Sequence, residues 1–372
     1  MKLTIERATF LKALTHVQSV VERRNTIPIL SNVRLQAGDG SLSLTATDLD
    51  LAVVETVPAE VQAEATTTAP AHTLYDICRK LPEGAQVELD SAGEAGRLVM
   101  RCGPATFTLP VLPTEDFPVM AEGDLTHEFS LAAEHLRRLI DKTRFAISTE
   151  ETRYYLNGIY FHAADSDGSP TLRAVATDGH RLARVEVPLP EGAAGMPGVI
   201  VPRKTVTELR KLIDEADEAI AVGLSETKVR VAFDRVVLTS KLIDGTFPDY
   251  ERVIPSGNDK IMEIDGKAFA AAVDRVSTIS TEKSRSVKLS LGKGRLVLSV
   301  NSPESGNATE ELAADYDAPA MEIGFNSRYV LDMAGTVDGD RIQFAMADAV
   351  SPTLVRDTGD QGALYVLMPM RV

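Results

Sequence analysis

A pattern that occurs three times, at intervals close to the length of a small domain, constrains the fold of this chain most. The spacing apolar-x-apolar-x4-apolar-x3-apolar begins at Leu3, returns at Phe129 and returns again at Met262. Internal repeats take precedence over local elements because they fix the architecture. Since each interval is about one domain long, the sequence predicts a threefold array of similar modules.

Each module combines the same kinds of element. A short alternating strand is followed by a helix with apolar residues at three- and four-residue spacing, then by strands of period two and a second helix. The second helices are predicted over Leu74–Leu81, Lys204–Ile213 and Tyr329–Ala334. Helices segregated from hairpin-linked strands indicate an α+β fold with two helices on antiparallel sheet in each module. Pairing of outermost strands across module boundaries would remove exposed sheet edges.

Two further motifs recur at an offset of 130 residues. Ala-Thr-Asp of residues 46–48 returns at 176–178, and Leu-x4-Phe-Pro of residues 112–118 returns at 242–248. Polar stretches with Gly or Pro follow the Phe-Pro elements and mark boundaries between modules. The predicted modules are residues 1–122, 123–255 and 256–372.

Composition excludes several classes of protein. With 372 residues, of which 44% are hydrophobic and 25% charged, the chain is predicted to be globular. No run of 18 apolar residues occurs, and the opening MKLTIERATF lacks the apolar segment of a signal peptide, so we expect a cytoplasmic protein without a membrane partner. Cys78, Cys102 and six scattered histidines lack the spacing of a disulfide framework or metal site, and no cofactor is expected.

The net charge of −15 argues against nucleic acid as a partner, but the distribution of charge matters more than the average. The helix candidates within residues 6–24, 131–147 and 202–211 each hold more Lys and Arg than Asp and Glu. A basic helical face that contacts phosphates is one interpretation. Amphipathic helices with ordinary mixed charge are the other, and the counts leave both open.

Four segments give the chain a family resemblance: RYYLNG (153–158), ATDGHRLA (176–183), TSKLIDGTFPDYERVIP (239–255) and YVLMPMRV (365–372). With them the whole chain resembles the bacterial DNA polymerase III beta subunit, the sliding clamp. The resemblance implies the DNA clamp fold, in which a head-to-tail homodimer closes six modules into a ring around duplex DNA, with helices lining the hole. The repeat alone leaves open whether two copies of three modules or three copies of two would form the ring.

The resemblance also implies a groove that binds short peptide motifs between the second and third modules. Its members are Leu156, Thr177, Gly179, His180, Arg181, Leu182, Pro248, Arg252, Val253, Asn326, Tyr329, Val350, Val366, Leu367, Met368, Pro369, Met370 and Arg371. Ser284 stands where some relatives place an aromatic residue. Simpler interpretations are that Thr-Asp-Gly forms a tight turn and that the tail is a plain final strand.

Contacts with DNA are implied at basic and aromatic positions, where sequence-independent binding needs only phosphate contacts. The candidates are Arg24, Arg79, Lys80, Arg137, Arg144, Tyr154, Tyr155, Arg203 and Lys204. His72 departs from the family, whose inner wall tends to have Arg near this position. The subunit contact is implied to join Phe107 and Leu109 of one copy to Thr278 and Ile279 of the other, unless Phe107 and Leu109 are ordinary core positions.

The function that follows is a non-enzymatic processivity clamp at the replication fork and nucleoid. Implied partners are duplex DNA, the catalytic subunit of the replicative polymerase, the clamp loader, repair and translesion polymerases, ligase and mismatch-repair proteins. The chain has no GxxxxGK[ST] motif of its own, consistent with an external ATP-driven loader. Two other hypotheses are an enzyme using Asp178 and His180, which lack a nucleophile at a plausible spacing, and a protein-binding scaffold without a DNA role.

Overall fold

The computed structural model describes residues 1–91, 93, 96–121, 123–216, 219–280 and 285–371. These residues divide into two compact units. Unit 1 consists of Met1–Ala133, Pro190–Met196 and Lys204–Leu242, and unit 2 consists of Glu134–Leu189, Pro197–Arg203 and Ile243–Val372. Residues of the predicted central module therefore occur in both units.

The helices are α1 Arg7–Gln18, α2 Ala71–Lys80, α3 Ala133–Asp141, α4 Arg203–Leu212, α5 Gly266–Ser277 and α6 Ser327–Ala334. The strands are β1 Lys2–Glu6, β2 Asn32–Gly38, β3 Ser41–Thr47, β4 Leu51–Pro58, β5 Glu60–Ala63, β6 Ala65–Pro70, β7 Gln86–Asp90, β8 Arg97–Cys102, β9 Ala105–Pro110, β10 His127–Ala132, β11 Gly158–Ser166, β12 Ser169–Thr177, β13 Arg181–Pro188, β14 Val199–Pro202, β15 Ala219–Leu224, β16 Lys228–Phe233, β17 Val236–Lys241, β18 Lys260–Asp265, β19 Ser286–Gly292, β20 Arg295–Ser302, β21 Gly306–Ala313, β22 Asp315–Tyr316, β23 Met321–Asn326, β24 Arg341–Met346, β25 Thr353–Asp357 and β26 Ala363–Leu367.

Unit 1 contains two antiparallel sheets. One has the strand order β5-β1-β7-β8-β9, and the other has the order β10-β15-β16-β17-β4-β3-β2-β6. In the second sheet, β17 of the predicted central module pairs with β4 of the first module, from Val236 opposite Glu55 to Ser240 opposite Leu51. This pairing confirms the expectation that outermost strands of adjacent modules join.

Unit 2 repeats that arrangement. Its sheets have the orders β14-β11-β12-β13-β26-β25-β24-β18-β22 and β21-β20-β19-β23. Here β13 pairs with β26, and Arg181 lies opposite Leu367. Strand β13 begins directly after the Thr-Asp-Gly-His run, and β26 is the last strand before the C-terminal tail. This pairing therefore brings the run and the tail together.

The first and third repeats are confirmed in their helices, α1 and α5. In both, residues at three- and four-residue spacing are buried, as an amphipathic helix requires. The buried faces consist of Phe10, Ala13, Leu14 and Val17 on α1 and of Phe269, Ala272, Val273 and Val276 on α5. Carboxylates at matching positions cap the helices: Glu6 accepts from Thr9 N at 2.8 Å, and Asp265 accepts from Ala268 N at 2.7 Å.

Helices α1 and α3 lie within the predicted segments 6–24 and 131–147 but are shorter than those segments. Helix α1 ends at Gln18, and α3 ends at Asp141. Just beyond α3, Thr143 Oγ1 donates to Leu139 O at 2.5 Å, and such local bonds compete with continued helix. Arg24 and Arg144 consequently lie outside the helices, so the charge surplus counted over these segments does not describe helix faces. The second helices agree within three residues of their predicted starts.

No helix in the described ranges is long and apolar enough to cross a membrane. In the same part of the chain, no group of three or more His, Cys, Asp and Glu side chains could hold a metal ion. Cys78 and Cys102 are buried free thiols. Burial raises the pKa of Cys78 to about 11, which keeps the thiol protonated and unreactive at neutral pH.

Candidate functional site

The Thr-Asp-Gly-His run forms a tight turn between β12 and β13 in unit 2. Asp178 Oδ1 accepts hydrogen bonds from the backbone N–H groups of His180 at 2.9 Å and Arg181 at 3.0 Å. Thr177 Oγ1 accepts from Gly179 N at 3.1 Å, and Gly179 has a φ of +86°, a conformation that favours glycine. The turn interpretation is confirmed, and Asp178 is occupied in holding the turn rather than in activating His180.

Arg181 connects this turn to α6. Its Nε lies 3.1 Å from Asp178 Oδ2, and its Nη1 donates to Asp332 Oδ2 at 2.7 Å. The guanidinium also lies over the rings of Tyr329 and Phe145, with 4.2 Å and 5.2 Å to the ring centroids. Each such cation–π contact stabilises by about 0.5–2 kcal/mol. Arg181 thus joins the turn to α6 through Nε and Nη1 of its half-buried guanidinium.

A buried apolar cluster lies beneath the turn. Three residues predicted for the groove, Leu156, Leu182 and Val366, belong to it. The other buried members are Val175, Ile200, Phe247, Tyr250, Ala345, Leu354 and Leu364. These three predicted residues therefore belong to the buried floor of the predicted groove. They can contact a ligand only where no other side chain covers them.

Exposed apolar side chains occur in chain segments that lie within a few residues of members of this cluster in the sequence. The exposed fractions are 51% for Val253, 73% for Val350, 40% for Met368 and 37% for Met370. Large apolar side chains left in solvent usually mark a binding surface when they are grouped. Arg252, with 83% of its side chain exposed, adds a polar group to the same rim.

The C-terminal tail has two parts. Val366 and Leu367 are buried in β26, so the plain-strand interpretation accounts for them. Beyond the strand, Met368 N donates to His180 O at 2.9 Å, and Met370 N donates to Gly324 O at 2.8 Å. Two backbone bonds therefore hold the exposed methionines against the turn and against β23, which precedes α6.

The remaining groove positions are at the edges of this surface. Pro248 is exposed, and Asn326 caps α6 by accepting from Arg328 N at 3.0 Å. His180 is exposed with its ring stacked near Tyr329, at 6.4 Å between centroids. Pro369 is half-buried, Arg371 is exposed, and Ser284 lies outside the described residues.

Sequence analysis overlooked Arg153, which lies beside the turn. Its guanidinium pairs with Glu150 at 2.8 Å, and a Cβ added at Gly179 would meet Arg153 Nη1 at 2.5 Å. The available signal was its position in the RYYLNG segment, next to Tyr154 and Tyr155. Gly179 is needed for the turn conformation, and the Arg153 guanidinium lies directly beside it.

The candidate DNA-contacting residues of unit 1 differ in how strongly they are held. Arg24 is exposed after α1, and Lys80 is exposed in the last turn of α2. Arg79 pairs with Asp76 at 3.3 Å in an exposed contact, which stabilises little. Lys204 Nζ, by contrast, is bonded to Val20 O and pairs with Glu22 and with Asp48, the latter at 2.7 Å. These partners leave Lys204 little freedom to reach a phosphate.

The candidates of unit 2 are mostly exposed. Arg144 pairs with Asp141 at 3.3 Å, Arg137 is half-buried on α3, and Arg203 is exposed at the start of α4. Tyr154 is exposed, with its ring edge-on to the half-buried Tyr155 at 5.8 Å.

His72, in unit 1, departs from the basic residue that the resemblance leads one to expect. Its Nε2 lies 2.9 Å from Val21 O, and its Nδ1 is buried without a hydrogen-bond partner. This ring is therefore turned into the protein and is not available to replace an exposed Arg.

The residues predicted for the subunit contact lie at an edge strand and at a helix end. In unit 1, β9 is the last strand of its sheet, with Phe107 half-buried and Leu109 buried. In unit 2, Thr278 is the exposed C-cap of α5, and Ile279 after it is half-buried. An edge strand has unpaired backbone groups that can bond to another chain.

The chain is similar to known proteins over its whole length. Family models of the DNA polymerase III beta subunit match the N-terminal domain over residues 1–121, the central domain over 130–249 and the C-terminal domain over 251–371. The beta sliding clamp of Caulobacter vibrioides is 58% identical over 372 residues, and that of Escherichia coli K12 is 39% identical over 373, each covering 100% of both chains.

Solved structures agree with the sequence matches. A sliding clamp from Bartonella birtlesii bound to griselimycin has a TM-score of 0.97 and 51% identity, with 100% of both chains covered. The clamp of Caulobacter crescentus, with polyethylene glycol bound to a putative beta-motif tethering region, has a TM-score of 0.97 and 57% identity, with 100% of this chain and 99% of the other covered.

A three-domain fold of sheets and helices that matches DNA clamps over its whole length defines a processivity clamp, whose ring is formed by dimerisation. The chain belongs to the DNA polymerase III beta subunit family, the sliding clamps. Such a clamp encircles duplex DNA and tethers the replicative polymerase, and it performs no bond chemistry itself. The enzyme hypothesis based on Asp178 and His180 is therefore wrong, and so is the scaffold without a DNA role.

Proposed function

We propose that the exposed apolar rim and buried floor in unit 2 form the groove through which this clamp binds its protein partners. The observation that supports the proposal is that Val253, Val350, Met368 and Met370 are exposed in chain segments that adjoin, in the sequence, members of one buried cluster. A concave apolar surface with a few polar groups is what a short peptide with aliphatic or aromatic anchors requires. Flexible methionines suit several different ligands.

The occupants proposed for this groove are short linear motifs. They belong to the polymerase catalytic subunit, the clamp loader, repair and translesion polymerases, ligase and mismatch-repair proteins. Griselimycin is bound to the Bartonella birtlesii relative and to one from Pseudomonas aeruginosa. We propose that this chain binds griselimycin in the same groove.

The chain is proposed to act as a head-to-tail homodimer in the cytoplasm, associated with the nucleoid and the replication fork. Phe107 and Leu109 on β9 would contact Thr278 and Ile279 of the partner subunit. The proposed modules are residues 1–122, 123–255 and 256–372, and the polar stretches with Gly or Pro at 121–126 and 255–260 support these boundaries.

DNA is proposed to contact the clamp only through phosphates. The exposed Arg24 and Arg203 are the basic residues chosen to test this, because one lies in each unit and neither is buried. A clamp must slide, so these contacts should be weak, independent of base sequence and lowered by salt.

We expect the double variant Arg24→Glu and Arg203→Glu to load poorly onto DNA without loss of the dimer. Replacing two phosphate contacts with repulsive charges should reduce retention about tenfold or more. The measurement is retention on nicked circular DNA after loading, with linear DNA as the control because a ring slides off its ends. Lys204→Glu serves as a comparison, since Lys204 is already paired. Tight binding that depends on base sequence would contradict the proposal.

The segment Phe247–Val253, which carries part of the groove rim, is bonded to a histidine that should make its stability depend on pH. His162 Nε2 lies 2.9 Å from Tyr250 Oη, and its Nδ1 lies 3.0 Å from Ala163 O. If Nδ1–H donates to that carbonyl, Nε2 accepts from the tyrosine, and the ring is neutral. Burial, together with the nearby Arg173, lowers the pKa of His162 below its ordinary value of 6.5.

We expect this histidine to favour folding at neutral pH and not under mildly acidic conditions. Because the folded pKa is lowered, the stabilisation is complete above pH 6.5 and disappears as the pH falls through the folded pKa. Chemical denaturation at pH 5.5 and 7.5 measures the effect. His162→Gln, which cannot titrate, should show a smaller change in unfolding free energy between the two pH values. An equal change in both proteins would show that His162 does not contribute.

A further inference from the structure

The segment Phe247–Val253 is attached to unit 2 mainly by side chains. It presents Pro248, Arg252 and Val253 outward, where they form one side of the proposed groove. The backbone bond nearest its end joins Ile254 N to Glu251 O and lies within its own turn. Its position relative to β12 and β13 must therefore come from the residues that point inward.

Two aromatic side chains provide part of this attachment. The ring of Phe247 is stacked on that of Tyr160, with centroids 4.8 Å apart and planes 7° from parallel. Tyr250 is buried and lies edge-on to Phe247 at 6.5 Å. Aromatic pairs of this kind stabilise by about 0.5–1.5 kcal/mol in addition to the free energy of burying the rings. Stacking has no directional bond, however, so it does not fix the position of the segment along the ring face.

Arg173 provides the directional part. From β12, its Nη1 donates to Glu251 Oε1 at 2.8 Å and to Tyr250 Oη at 3.3 Å. Its Nε donates to Glu186 Oε2 on β13 at 2.8 Å, and its Nη2 donates to Asp165 O at 3.3 Å. One planar guanidinium thus holds two adjacent residues of the segment and is itself held on the opposite side.

The cost of this arrangement indicates that it serves more than stability. The Arg173 side chain is only 7% exposed, and a buried ion pair is often no better for stability than apolar residues of the same size. Arg184 lies nearby with its Nε buried and without a partner, which adds to the cost. Directional bonds to buried charges are suited to fixing one geometry.

We propose that Arg173 is a positioning residue for partner binding, which holds the segment Phe247–Val253 so that Pro248, Arg252 and Val253 stand at the correct place on the groove. The proposal rests on the groove proposed above. Arg173 itself is buried behind the segment, so it acts through Tyr250 and Glu251 and does not touch the partner.

Three variants of the full-length clamp separate positioning from folding. Tyr250→Phe removes only the hydroxyl, and Glu251→Gln removes a charge from a side chain that is mostly exposed. Ser166→Ala is the matched control, because Ser166 Oγ donates to Glu186 Oε1 at 2.9 Å, on the side of Arg173 away from the segment. Griselimycin is the probe, with its Kd measured by calorimetry alongside the Tm of each variant.

We expect Tyr250→Phe and Glu251→Gln each to weaken griselimycin binding about threefold to tenfold. Tyr250→Phe removes the bonds of the hydroxyl to Arg173 and His162, and Glu251→Gln keeps an oxygen acceptor for Arg173 but removes its charge. Amide hydrogen exchange over residues 248–254 should become faster in the same variants. Ser166→Ala should lower Tm without changing Kd. In an Arg173→Met background, Glu251→Gln should have no further effect on Kd, because each change disrupts the same interaction, the ion pair between Arg173 and Glu251. Should Arg173→Met fail to fold, the first two variants still decide the outcome.

A clamp lacking Met368–Val372 distinguishes the two proposals. If this truncation leaves griselimycin binding unchanged, the proposed groove is wrong. If the truncation abolishes binding but Tyr250→Phe and Glu251→Gln leave Kd and hydrogen exchange unchanged, the groove stands and Arg173 has only a structural role. Griselimycin binding that weakens in Ser166→Ala as much as in the other two variants would also overturn the positioning role.

Discussion

Deletion of Met368–Val372 is expected to abolish binding of a partner motif while the fold and the dimer persist. The deleted residues contribute two exposed methionines and the backbone bonds from Met368 N to His180 O and from Met370 N to Gly324 O. Burial of one aliphatic side chain against a ligand stabilises the complex by about 1.5–3 kcal/mol. Removing two or three such contacts should therefore weaken a peptide that binds with a micromolar Kd until its binding is no longer detected. Because β26 ends at Leu367, the last strand of the sheet is retained.

Fluorescence anisotropy of a labelled partner peptide measures the effect, and size-exclusion chromatography of the truncated clamp checks its assembly. The double variant Met368→Ala and Met370→Ala keeps the chain length and both backbone bonds, and it should weaken binding at least about tenfold. Val119→Ala is the control, since Val119 is another exposed apolar side chain, in unit 1, and is not among the groove residues. Unchanged binding in both tail variants would exclude the groove assignment.

Sequence reasoning succeeded where a residue's role depends on local spacing. The repeat predicted the modules, and the buried faces of α1 and α5 confirm that the same apolar positions recur. The Thr-Asp-Gly turn was predictable for the same reason, because Asp178 bonds to groups only two and three residues away. The pairing of β17 with β4 followed from the need to remove sheet edges.

Sequence reasoning was less successful where contacts between residues far apart in the chain decide the surroundings of a side chain. The local pattern was also misleading at α3, which stops at Asp141 although the apolar spacing continues to Phe145. Lys204 was predicted to contact phosphate from its place in a basic helix candidate and from the family resemblance. In the fold it is paired with Glu22 and Asp48, which lie far away in the chain.

Arg173 illustrates the same limit for the site. In the sequence it is one basic residue within the otherwise apolar run of residues 172–176, Leu172 and Ala174 being its neighbours. Such a residue in a buried strand is a signal, since arginine is rarely buried without partners. Its partners on β13 and on the connecting segment could not be identified without the fold.

Ile279→Asp is expected to convert the clamp from a dimer near twice 40.1 kDa to a monomer. Ile279 is half-buried within its own chain, and in the proposed contact it packs against Phe107 and Leu109 of the partner subunit. A carboxylate buried there without a partner costs several kcal/mol. Because the two contacts of a head-to-tail dimer are identical, one substitution weakens both.

Light scattering at micromolar concentration measures the mass, and Tm measures whether each chain remains folded. The control is Ile261→Asp, which introduces the same change at an exposed position on β18 and should leave the dimer intact. The monomeric variant should still bind a partner peptide, because the groove lies within one chain, but it should not be retained on nicked circular DNA. Retention requires a closed ring, so peptide binding and retention on DNA should separate in Ile279→Asp and not in Ile261→Asp. A persistent dimer would mean that the subunits meet at other residues.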